Sequence, residues 1–244
     1  MYTSKIWASL AITLCLLFFT ISISAQVPDS ITNIYTKAIY EAMSPSPAKV
    51  CDTLIAINSL NKNLERKTVK GVEYILMVAW KDDTSYYKTG EDSVYNTQGR
   101  INWVTTSPQL LQRMSHTKPK DVNLRLEQLI GLPPNSGYKY FIEFWVQPRD
   151  LYRPCLDSQI ADSTCGLWFP KYTDPDYINW VNELRANSYS NCELLKQYPW
   201  TQLGYTFDWS SANKSNVGLS EFIISKYSNV IINKFYTTEE YLNQ

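Results

Sequence analysis

The stretch "YKYFIEFWVQPRDLYRPC", residues 138–155, decides how the rest of this chain is read. Successive side chains on a strand point to opposite faces. Tyr140, Ile142, Phe144 and Val146 then form one apolar face suited to a core. Pro148, which lacks an N–H, ends the ladder. Phe141, Glu143, Trp145 and Gln147 form the other face: ring, acid, ring, amide. Flat rings beside a carboxylate and an amide suit a sugar, which offers apolar C–H faces and a rim of hydroxyls. The same face also suits burial under helices, with Glu143 paired to Arg125, Arg149 or Arg153.

Outward from this strand, helices and strands mix. "VEYILMVAW" (72–80) is apolar on both faces and bounded by Gly71 and by Lys81, Asp82 and Asp83, which predicts a central strand. "INWVTT" (101–106) predicts another, and Ser107 with Pro108 opens a short helix through Met114. "DVNLRLEQLIGLPP" (121–134) predicts a helix capped by Asp121. Its Leu124, Leu126, Leu129 and Ile130 face inward, and Gly131 with two prolines stops it. Ile31, Ile34, Tyr35, Ala38, Ile39 and Ala42 recur at helical spacing, and "DPDYINWVNELRANSY" (174–189) predicts one more helix. "GLSEFIIS" (218–225) and "NVIINKFY" (229–236) are expected to close the chain as an antiparallel pair. No regular βαβ beat runs through this order. The fold class is α+β: a single globular domain with a mixed or mainly antiparallel sheet packed by several helices.

Residues 1–25 predict a signal peptide. Lys5 supplies a positive start, "IWASLAITLCLLFF" (6–19) an apolar core, and "ISISA" (21–25) a small-residue exit with cleavage after Ala25. The apolar run is shorter than the ~20 residues a bilayer core needs, and no later run spans one. The expected product is exported, periplasmic or secreted, with no membrane insertion after cleavage. Residues 26–50 hold a helix and a linker, "MSPSPAKV" (43–50), and 51–244 form the domain. Loss of Lys5 leaves 22 basic residues against 23 acidic ones. A charge that close to zero gives no electrostatic reason to seek nucleic acid.

Cysteine usage fits export. Cys51, Cys155, Cys165 and Cys192 follow the signal segment, and four cysteines allow three pairings. "CLDSQIADSTC" (155–165) is short and polar, which favours Cys155–Cys165 and leaves Cys51–Cys192. No CxxC or HxxxH occurs, so neither a metal nor a cofactor is expected. His116 is the only histidine, in a polar loop without a nucleophile elbow.

Carboxylate chemistry needs only two acids in one cleft. Glu143, Asp150, Asp208 and Glu221 are the candidates, with Glu143, Asp208 and Glu221 foremost as catalytic residues. A second aromatic stretch, "YPWTQLGYTFDWS" (198–210), adds Trp200, Tyr205 and Trp209 as ligand-binding candidates beside Phe141, Glu143, Trp145, Gln147 and Arg149. Aromatic clusters also serve as core, and that reading stands beside the binding one.

"LRLEQLIGLPP", "FIEFWVQPRDLYRPC", "YPWTQLGYTFDW" and "GLSEF", in this order over roughly residues 120–240, resemble a group of uncharacterised secreted bacterial proteins. The resemblance implies bacterial export and carries no activity and no catalytic residue. Two functional classes follow. One is a binding or interaction domain for an envelope glycan or an exported protein. The other is a metal-independent hydrolase acting on a carbohydrate through two of the four acids.

Overall fold

The protein was analysed as a computed structural model that describes residues 27–87, 90–190 and 193–244. Helix α1 (Asp29–Ala42) buries Tyr35, Ala38, Ile39 and Ala42 of the stripe expected from its spacing, while Ile31 is half-buried and Ile34 exposed. Strands β1 (Arg66–Val69) and β2 (Val72–Lys81) form a hairpin. Its turn uses Lys70 and Gly71, both at positive φ, which matches the twist of the strands it joins. Then come β3 (Val94–Asn96), β4 (Asn102–Thr106), α2 (Ser107–Ser115) and α3 (Val122–Ile130). Asp121 caps α3 by accepting the Leu124 N–H, and Gly131 ends it with φ 76°, a conformation that favours glycine.

The opening stretch is β5 (Tyr140–Val146), which ends before a 3-10 turn at Pro148. The chain continues through β6 (Leu151–Tyr152), α4 (Pro175–Tyr189), β7 (Tyr205–Phe207), β8 (Val217–Ser220), β9 (Phe222–Ile224), β10 (Asn229–Thr237) and α5 (Thr238–Leu242). Eight strands form one antiparallel sheet in the order β3-β10-β5-β2-β4-β9-β6, with β1 beside β2, while β7 and β8 form a small second sheet. The fold is α+β in a single domain.

Both faces of this sheet are covered. Ile142, Phe144 and Val146 of β5 join Ile75, Met77, Ala79, Val104 and Phe222 in one core. Phe141 joins Val78 and Trp80 in a second core, under Leu110 and Met114 of α2, Leu126 and Leu129 of α3, and Tyr241 of α5. The Glu143 face of β5 therefore lies beneath helices and is not an open platform.

The expected pairing of 218–225 with 229–236 does not form. β8 pairs with β7, β9 pairs with β4 and β6, and β10 pairs with β5 and β3. Alternation identifies a strand but not its partner. Glu221 sits at the break, where the chain leaves the small sheet for the large one.

Cys155 and Cys165 form a disulfide that closes the polar loop between them. Cys51 is buried and outside any disulfide among the described residues, with its Sγ 3.3 Å from Thr53 Oγ1. Cys192 and the signal segment lie outside the described residues.

Candidate functional site

Pairing between β2 and β4 is short. Met77 opposes Thr106 and Val78 opposes Thr105, and beyond these two pairs the strands part. β4 has its full partnership on the other side with β9, where Val104 opposes Phe222. A cavity of about 410 Å³ occupies the wedge, with Val78–Lys81 on one side and Trp103–Thr105 on the other. The end of α3, the face of α4 carrying Leu184 and Ser188, and the 198–207 segment close it over. Its size is in the range of small-molecule sites.

The wall is mainly apolar. Trp80, Trp103, Tyr138, Tyr198, Trp200 and Phe207 supply rings. Thr206 is committed elsewhere: its hydroxyl donates to Leu129 O at 2.6 Å and accepts the Leu219 N–H at 2.8 Å. Glu221 is the one carboxylate on the wall. Its backbone N–H donates to Gly204 O at 2.9 Å, which fixes where the side chain starts. Gly204 (φ 77°) has no room for a side chain, because a Cβ would stand 2.6 Å from Arg153 Cδ. The Oε2 of Glu221 is buried with no hydrogen-bond partner. Desolvation without a compensating charge pushes its pKa up to about 8, so the carboxyl is protonated at neutral pH.

Around Glu221 the polar neighbourhood is thin. The Tyr189 phenol feels Gln202, Arg185 and Glu221, and donates to Trp200 O at 2.5 Å. Gln202 is buried with φ 64°; it accepts from Arg185 Nε at 2.6 Å, and its own Nε2 has no partner. A buried non-glycine residue in the left-handed region is backbone strain held by the surrounding packing.

The other acids are placed differently. Glu143 is 2% exposed. It accepts from Ser107 Oγ at 2.6 Å, Asn233 Nδ2 at 2.7 Å and Tyr236 OH at 3.3 Å. Ser107 Oγ lies 2.7 Å from Tyr241 OH, so the network fastens α2, α5 and β10 to β5. Tyr236 is pushed up to about 12, by burial first and then by Glu143. No arginine takes part: Arg125 goes to Asp208, Arg153 to backbone carbonyls, and the exposed Arg149 lies 4.0 Å from Asp150. The expected arginine partner is thus replaced by hydroxyl and amide donors. In Glu143→Gln an amide would face the Asn233 amide. The variant is expected to lose about 1–3 kcal/mol of stability in urea unfolding, the cost of an unpaired buried donor.

The remaining expected ligand contacts are mostly structural. Phe141 is buried and stacked between Trp80 and Tyr241. Trp145 Nε1 donates to Asn233 Oδ1 at 2.9 Å, and Gln147 Nε2 lies 3.4 Å from Tyr74 OH. Tyr205 OH donates to Lys49 O at 2.8 Å, and Trp209 Nε1 to Leu132 O at 3.0 Å. The 198–210 stretch is therefore a core segment rather than an exposed binding loop. Of the residues expected at a site, the cavity gathers Glu221 and Trp200 alone. Sequence reasoning missed Trp80, Trp103, Tyr138, Leu184 and Ser188, which arrive from four separate segments. Among the described residues no three His, Cys, Asp or Glu side chains converge as a metal site would require.

Comparison with protein-family models, curated proteins and solved structures finds no match to this chain.

Proposed function

We propose that this protein is a ligand-binding domain whose site is the cavity between β2 and β4, and that its ligand is a small, mostly apolar molecule with one polar handle. The observation that carries the reading is Glu221, a half-buried residue in an aromatic wall whose Oε2 is buried without a hydrogen-bond partner. Leaving such a group unsatisfied costs on the order of 1–3 kcal/mol, which a ligand that bonds to it would recover. The polar groups of the wall are few and partly used, which favours such a molecule over an oligosaccharide. Export belongs to the same proposal. It rests on the signal-like residues 1–25, the resemblance to secreted bacterial proteins, and a disulfide of the kind that persists in oxidising compartments.

Hydrolysis by paired acids has less support. That chemistry needs carboxyls roughly 5–10 Å apart around one substrate. Here Asp208 is held by Arg125 and Arg113, and Glu143 is sealed by its donors. Neither lines the cavity with Glu221. An exported protein partner has one observation of its own, the exposed rings of Trp168 (82%) and Tyr172 (88%) after the disulfide loop.

The test is a fragment screen by thermal shift, repeated on Ser188→Phe, which fills the cavity from α4. A ligand at about 100 times its Kd stabilises by roughly 2.7 kcal/mol. Fragments are expected to raise the Tm of the wild type and not of the variant. Equal shifts in both proteins, or none in the wild type, remove the cavity as the site.

A further inference from the structure

Glu221 does more than mark the cavity, because its surroundings discriminate among polar handles. Among the described residues it is the only carboxylate on a wall that also carries six aromatic side chains. Among the described residues no cation lies within ion-pair distance of it. Arg185 is turned to Gln202 and Asn182, and Arg153, which packs against Gly204 and the Phe222 ring, donates to the backbone carbonyls of Gln159, Ile55 and Asp162. Lys81 lines the cavity, yet its side chain leaves β2 on the face opposite Trp80; burial pushes its ammonium group down, and Asp82 acts against that. The remaining titratable groups on the wall are the phenols of Tyr138 and Tyr198, and the Tyr189 phenol lies close enough to feel Glu221. An aromatic wall with a negative π-face and one carboxyl without a counter-charge is complementary to a desolvated cation.

Resting on the binding reading above, we propose that this cavity takes an organic ammonium ion carried on a small apolar body, with the Glu221 carboxylate as counter-ion and the surrounding rings as walls. A hydroxyl or amide ligand would need only a hydrogen bond, which a serine or glutamine at this position provides without burying an acid. A cation gains from the acid itself. The ion pair forms in low dielectric, and the rings add cation–π attraction on the sides that the carboxylate does not cover.

The proposal has a proton balance. The free protein holds a proton on Glu221 below about pH 8, and an ammonium ligand with a fixed charge displaces it to solvent. One proton is released per ligand bound. Affinity therefore falls roughly tenfold for each pH unit below about 8 and levels off above it. A neutral hydrogen-bond acceptor shows the reverse: it needs the protonated acid, and its affinity falls as pH rises past that value.

The experiment is isothermal titration of the full chain with benzyltrimethylammonium, which cannot titrate, and with neutral 2-phenylethanol, from about pH 6 to 9. Repeating it in buffers of different ionisation enthalpy counts protons. The expected result is binding of the ammonium ion that strengthens with pH and releases one proton below about pH 8. Glu221→Gln, which keeps the shape, is expected to abolish both the pH dependence and the proton release. Binding of 2-phenylethanol alone, weakening above about pH 8, overturns the ammonium assignment and leaves the cavity as a site. Ammonium binding unchanged in Glu221→Gln also overturns the assignment. Binding of neither probe overturns the assignment and the cavity reading together.

Discussion

Glu221→Gln is expected to flatten the fall in stability that the wild type shows between about pH 4.5 and 8. The folded protein holds the Glu221 carboxyl at about 8, while the unfolded chain releases its proton near the ordinary glutamate value. Throughout that window the folded state binds a proton that the unfolded state has lost, so unfolding becomes easier as pH rises. Below the window both states are protonated, and above it both are ionised, so the slope vanishes at each end. At about 1.4 kcal/mol per pH unit, the full effect is on the order of 3–5 kcal/mol. Glu65, Glu127 and Asp150 are also raised by burial and tilt the curve the same way. The difference between wild type and variant isolates Glu221. Urea unfolding at about pH 4.5, 6 and 8 reads it, with the variant gaining on the wild type at each step. Parallel curves would mean that Glu221 ionises freely when folded, which removes the physical basis of the unpaired acid.

What the sequence made legible follows from which interactions are local. β5 and its two faces were readable because alternation is a property of consecutive residues. The caps of α3 were readable because Asp121 and Gly131 act within one turn of the helix they end. The Cys155–Cys165 bond was readable because only a short polar loop separates the two. The cavity was not. It exists because β2 and β4 part after two pairs while β9 holds the far edge of β4. Nothing in "INWVTT" records where a partner strand leaves it. Glu221 was singled out, but as one acid among four; its distinction is the absence of partners, and an absence has no sequence signal. Glu143 looked more functional because rings flank it in sequence. Those rings pack against Tyr241 and Asn233, which lie about ninety to a hundred residues later in the chain.

Asp208→Ala is expected to cost about 3–5 kcal/mol, the usual consequence of breaking a buried ion pair and leaving the other charge behind. Asp208 is 0% exposed, and its carboxylate is fully engaged. Arg125 grips it with two bonds at 2.9 and 2.7 Å, Asn213 Nδ2 donates at 2.9 Å, and the Ser210 N–H at 3.1 Å. Arg113 stands 3.7 Å away and spends its other bonds on the carbonyls of Val217 and Gly218. One carboxylate thus ties α2 and α3 to the connection between β7 and β8. That hairpin supplies Thr206, Phe207 and Leu219 to the cavity wall and delivers the chain to Glu221. The loss should therefore appear as weaker ligand binding as well as easier unfolding. Salt should change it little, because the pair is shielded from solvent. If the cost comes from the abandoned guanidinium, removing it as well should return part of the stability. Asp208→Ala with Arg125→Met is then expected to unfold at higher urea than Asp208→Ala alone, with a coupling of roughly 0.5–3 kcal/mol. Strict additivity of the two substitutions would place the cost in lost packing around Asp208 and not in its charge.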